Sequence, residues 1–165
     1  MKIQIQIAQQ VREVFFGDNW TDSSLKPQLE DVSWQEAVCR IDGFNTIVGL
    51  VYHIGYFVTA VLSVLEGRTL NSRDSDSFDH PPVRKQADWE MLLSNTWKEA
   101  ETLAARVEQL DSNRLEETFV EEKYGTYYRN IQGVVEHTHY HLGQIVLLKK
   151  IIRQKQNELP GLNSD

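Results

Sequence analysis

Histidine is the residue type in this chain best suited to chemistry, and the spacing of its five histidines sorts them into groups. His53, His137, His139 and His141 lie inside segments of helical periodicity, whereas His80 stands beside Pro81-Pro82 and reads as a solvated loop residue. A helix turns about 100° per residue, so His137 and His141 sit about 40° apart and about 6 Å along the axis, on one face. His139 falls about 200° from His137, on the other side with Val135, Leu142 and Val146. The face of the pair also carries Val134, Ile145 and Leu148, and the face of His53 carries Leu50, Phe57 and Val64. Both faces are apolar, so all three imidazoles point into a helical core, where unpaired ring nitrogens cost free energy. A divalent metal ion would satisfy them. His at i and i+4 can bind one ion from a single helical face, and three protein ligands leave a position open for water or substrate. The competing account is a set of hydrogen-bonded core histidines that holds no ion. A zincin-type protease is disfavoured, because His137-Thr138-His139-Tyr140-His141 lacks a Glu directly after its first His, and Glu136 faces elsewhere.

Four long helical segments must position these residues. The first runs from about Ile3 to Phe16 and ends at Gly17. The turn-rich stretch Asp18–Asp31 reads as loop, after which Ser33-Trp34-Gln35-Glu36 has the form of a capping box opening a short helix to about Arg40. Asn45 is the expected N-cap of the second long helix, which ends near Gly67 and is apolar around most of its circumference. Polar residues from Thr69 to Pro82 predict a loop, and the third helix spans about Ala87–Leu110. Asp111-Ser112-Asn113 stops it and starts a one-turn helix through Glu117; Phe119–Tyr124 reads as a brief extended piece. The fourth helix covers about Tyr128–Gln156, and Pro160-Gly161 closes the ordered chain. Four amphipathic helices without a credible sheet predict an all-α fold, a four-helix bundle whose long connections allow a crossover topology.

A length of 165 residues suits one domain, here 1–157, followed by a short tail at 158–165. Seventeen Lys and Arg against 24 Asp and Glu leave a net charge of −7, which argues against nucleic acid as a partner. Cys39 is the only cysteine, so an internal disulfide and a cysteine-based zinc site are both excluded; it reads as a small core residue of a cytoplasmic protein. Gly43–Leu65 has no formal charge and is long enough to span a bilayer, but it places His53 near its middle and has no partner span. A core helix of a bundle is the better account, with no membrane involved. Trp34, Trp89 and Trp97 read as core packing. Lys149, Lys150, Arg153 and Lys155 suit the negative end of the fourth helix and call for no anionic ligand.

The run Val135-Glu136-His137-Thr138-His139-Tyr140-His141-Leu142-Gly143-Gln144-Ile145, together with Asn45-Thr46-Ile47, His53 and Leu65-Glu66-Gly67, resembles the DinB superfamily. That group includes YfiT-like proteins, mycothiol- and bacillithiol-dependent transferases and mycothiol-dependent maleylpyruvate isomerase. The resemblance implies a small helical bundle, commonly a homodimer, that binds zinc or nickel through three histidines matching His53, His137 and His141. It also implies a metal-dependent thiol S-transferase, taking a low-molecular-weight thiol and a small electrophilic substrate, with Tyr140 and Gln144 as candidate supporting groups. The alternative is a non-catalytic, metal-stabilised bundle or interaction module. No catalytic residue is assigned. The apolar stripe Val135, His139, Leu142 and Val146 is either a dimer contact or intramolecular packing.

Overall fold

The structure is a computed structural model that describes residues 2–158. In chain order it comprises α1 (Ile3–Phe16), the one-turn helices α2 (Leu25–Leu29) and α3 (Trp34–Val38), α4 (Ile47–Leu65), α5 (Gln86–Glu108) and α6 (Tyr127–Glu158). No strand occurs among the described residues, which carry only an isolated bridge between Thr118 and Thr126. Helix α1 packs against α5 and α6, and α4 packs against the same two, so α1 and α4 stand at opposite corners of a four-helix bundle. The α1-to-α4 and α5-to-α6 connections therefore cross the bundle diagonally, while α4 and α5 are neighbours. This is the expected all-α crossover arrangement. The expected tail lies outside the described residues, apart from Glu158.

Local chemistry accounts for several helix ends. Ser33 Oγ accepts the Glu36 N–H while a Glu36 carboxylate oxygen accepts the Ser33 N–H at 2.8 Å, which completes the capping box. The N-cap of α4 is Thr46, not Asn45: its extended backbone brings Oγ1 within 3.1 Å of the Gly49 N–H. Gly67, at φ +79°, lets the chain leave α4 in a left-handed turn. Two further expectations are corrected. The 18–31 stretch contains α2, a single turn formed because Leu25 and Leu29 are fully buried rather than through local propensity; Pro27 sits in its first turn, where no N–H is needed. Residues 119–124 are not one extended piece: Glu122–Tyr124 form a 3-10 turn closed by the Gly125 N–H on the Glu122 carbonyl, and the Phe119 N–H bonds the Gly125 carbonyl across it.

Helix α4 buries eleven residues between its two neighbours, as its sequence requires. By length and hydropathy it could cross a membrane, yet most of the span is covered by protein. Trp89 is fully buried, and its indole N–H donates to the Val32 carbonyl at 2.9 Å, fixing the segment before α3 against α5. Trp34 and Trp97 are partly buried against the core, as is Cys39, whereas Trp20 is 98% exposed. Val135 and Leu142 are buried within the chain, with Val146 packed against the same core. That stripe of α6 is intramolecular packing.

Two of the basic residues near the end of α6 have specific partners. Arg153 donates to Glu36 at 2.8 Å and to both the carboxylate and the backbone carbonyl of Asp31, while Lys149 reaches Asp31 and the Gln28 carbonyl. These bonds clamp the α2–α3 segment to α6. Hydrogen bonds from Arg153, then Lys149, hold the Asp31 carboxyl at about 2, below its ordinary 3.8. A depressed carboxyl pKa stabilises the fold fully above the unfolded value, and that contribution fades as pH falls from 3.8 toward 2. Carbon-detected NMR titration should show Asp31 ionising near 2 in the native protein and closer to the ordinary value in Arg153→Gln. An Asp31 titration identical in the two proteins would contradict the clamp.

Candidate metal centre

The seam between α4 and α6 brings the three singled-out histidines together. His53 lies midway along α4, and His137 and His141 lie one turn apart on α6. The Nε2 atoms of His53 and His137 are 3.0 Å apart, as are those of His137 and His141, and one ring nitrogen from each residue falls within a 4.8 Å group. His141 is 7% exposed; the other two are half-buried. His139 is separate, with Nδ1 against the Val135 carbonyl, and Glu136 pairs with Arg129 on the outer face.

Protons alone do not satisfy this cluster. His141 Nδ1 lies 2.9 Å from Gln144 Oε1, an acceptor, so Nδ1 carries the proton and Nε2 presents its lone pair. His137 Nε2 faces two neighbouring Nε2 atoms at equal distance, and one proton can make only one good hydrogen bond among them. His53 Nδ1 is buried without a hydrogen bond, although the Ser77 backbone lies on its side. A cation between the rings accepts all three lone pairs at once. Tetrahedral zinc with bonds of about 2.0–2.1 Å holds its nitrogens about 3.3–3.4 Å apart; the two 3.0 Å pairs lie a few tenths of an ångström inside that spacing, and the widest separation in the 4.8 Å group must contract when an ion binds. The donor set therefore fits a divalent metal ion with an open position.

Electrostatics favour the ligating form. Burial, then the neighbouring His141 and His53, pushes the His137 pKa down to about 4. Burial and His141 also lower that of His53, against a weaker pull from the Ser77 backbone and Asp74. Both rings are neutral at pH 7, which is the state that binds metal.

Aromatic side chains wall the seam. Phe57 lies 5.0 Å from both His53 and His137, edge to face. Phe78 stacks on His53 at 4.1 Å with planes 14° apart. It reaches that position from the 69–83 strap, which is tied down where the Tyr56 hydroxyl accepts the Arg73 N–H at 2.7 Å and donates to the Arg73 carbonyl. Tyr140 is 66% exposed at the rim, its ring 4.9 Å from His141, and makes no hydrogen bond to a histidine. Sequence reading missed Phe78; its one signal is a lone aromatic in an otherwise polar loop. His80 is half-buried rather than solvated, its ring 6.1 Å from Tyr52 and its Nδ1 beside the Pro81 carbonyl.

A family model, the DinB superfamily, matches residues 19–145, which include all three histidines and Gln144. The chain belongs to the DinB superfamily. No curated protein and no solved structure matches it. The matched span contains the α4–α6 seam and the strap, while α1 and the C-terminal part of α6 lie outside it. For this DinB-superfamily chain, long-range nitrogen NMR of metal-free protein should report His141 as the Nδ1–H tautomer, with the preference lost in Gln144→Leu. A His141 ring protonated on Nε2 would contradict the arrangement.

Proposed function

We propose that this protein binds one divalent ion, zinc or nickel, through His53, His137 and His141, and acts as a metal-dependent thiol S-transferase on small electrophiles. The convergence of three Nε2 atoms in one seam carries the reading. Half-burial of His53 and His137 favours a site reached by small molecules over a sealed structural one. Bound there, such an ion supplies a charge that holds a thiol sulfur as thiolate at neutral pH. The chain's own groups do the rest: Gln144 orients the His141 ring, Phe57 and Phe78 exclude water from one side, and Tyr140 offers a hydroxyl at the rim. The overall reaction joins the thiol sulfur to an electrophilic carbon, releasing the leaving group and the thiol proton. We place this activity in the reducing cytoplasm, where such thiols are kept.

Chelator-stripped protein titrated with zinc or nickel should take up one equivalent. His141→Ala should abolish uptake, and Gln144→Leu should weaken it about 10–100-fold. Binding unchanged by His141→Ala overturns the site. Turnover of bacillithiol or glutathione with a reactive halide tests the chemistry separately. A loaded protein without turnover, whose melting temperature drops sharply on metal removal, would instead be a metal-stabilised module.

The homodimer belongs to the same proposal and must use surface other than the Val135–Leu142 stripe. Tyr140 and Leu147 are exposed on the outer face of α6, on either side of exposed Gly143. Light scattering should give twice the chain mass, falling to the monomer in Leu147→Glu; a native monomer rejects this part.

A further inference from the structure

The opposite side of α4 bounds a second feature, unrelated to the three histidines. A cavity of about 530 Å³ lies between α4, α5 and the two ends of the strap, within the size range of small-molecule sites. None of His53, His137 or His141 lines it. Tyr52, Tyr56, Thr59 and Ser63 face it from α4, one helical stripe away from His53 and Phe57. Val83 and Leu92 add apolar wall.

Its charge is one-sided. Two carboxylates, Asp88 and Glu99, line the cavity, and no Lys or Arg does. Asp88 is occupied by the Arg84 N–H at 2.9 Å. Glu99 is half-buried, and its hydrogen bond is to the Thr59 hydroxyl; it makes no ion pair among the described residues. That hydroxyl also lies 2.9 Å from the Gly55 carbonyl. A hydroxyl has one proton, so it cannot donate to both acceptors. Whenever it bonds back to the helix, as Thr commonly does, the carboxylate is left without a donor in a partly desolvated place. Across the cavity, burial and the negative charge of Asp79 push the Tyr52 phenol up, which marks the same sign of field. Tyrosine side chains in the wall of a cavity whose half-buried carboxylate has no ion-pair partner make a receptor for positive charge on an organic body.

We propose that the α4–α5 cavity binds a small organic monocation, an ammonium group carried on an aromatic or aliphatic skeleton, with Glu99 as the charge partner and Tyr52 and Tyr56 as the walls. The ammonium donates to Glu99, which frees the Thr59 hydroxyl for the Gly55 carbonyl. The skeleton displaces water from the apolar side of the cavity. This site shares no residue with the proposed metal centre.

The test uses the full chain, chelator-treated and zinc-loaded, with 2-phenylethylammonium as probe and 2-phenylethanol and phenylacetate as its neutral and anionic counterparts, followed by calorimetry. The ammonium should bind about tenfold or more tightly than the alcohol, and phenylacetate should not bind. Glu99→Gln, nearly isosteric, should remove that advantage while leaving alcohol binding and zinc uptake unchanged. Ala60→Leu, which places bulk in the cavity, should abolish binding of both. Equal affinity for ammonium and alcohol, an ammonium affinity indifferent to Glu99→Gln, or no binding at millimolar concentration overturns the proposal. Competition between ammonium and zinc would assign the probe to the histidine seam and likewise overturn it. Because the chelator-treated arm contains no metal, failure of metal binding leaves this outcome readable.

Discussion

The packing of α4 against α6 is the constraint on which the rest depends. Helix α4 is too apolar to face water on more than a narrow strip, so the bundle must enclose it between α5 and α6. Enclosure drives His53 into the α6 seam, and α6 presents two further imidazoles at the same level. Burial and mutual proximity disfavour protonation of His53 and His137, which their lowered pKa values reflect, so the seam holds neutral rings whose facing lone pairs lack enough protons to bond one another. The hydrophobic requirement of one helix thus gathers a set of neutral nitrogen donors that could hold a divalent ion. A bundle without such a role would have been better served by apolar residues at these three positions.

Much of this was legible from local pattern. Periods of three and four residues located the four long helices, because each buries a stripe and each stripe needs regular spacing. The capping box at Ser33 and the separation of His139 from His137 and His141 follow from geometry within a single helix, and both hold in the structure. What stayed hidden is non-local. Helix α2 exists because Leu25 and Leu29 find a core made elsewhere, and Lys149 and Arg153 find Asp31 about 120 residues away in sequence rather than serving only the helix dipole. No periodicity announces that Phe78, in a polar loop, lies on His53.

The 69–83 strap shows why such contacts matter for function. It is not a loose connection: Ser77 is buried, with its hydroxyl on the Asp74 carbonyl, and the paired bonds between Tyr56 and Arg73 pin the backbone to α4. Its centre covers the α6 side of α4 through Phe78, and both of its ends border the α5 side. One segment therefore closes two faces of the same helix.

This arrangement sets how α4 divides its labour. Tyr52 and His53 are consecutive, so their side chains diverge by about 100° and enter different seams. Tyr56 and Phe57 repeat the division one turn later, with Tyr56 in the cavity wall and Phe57 against His53 and His137. A change at any of these four positions is felt on its own side first, since the helix backbone between them is rigid and fully bonded. It reaches the other side through the strap, because Tyr56 holds Arg73 and the strap in turn holds Phe78 on the His53 ring. The two faces are chemically separate and mechanically joined, and the joint is a hydrogen-bonded loop rather than the core.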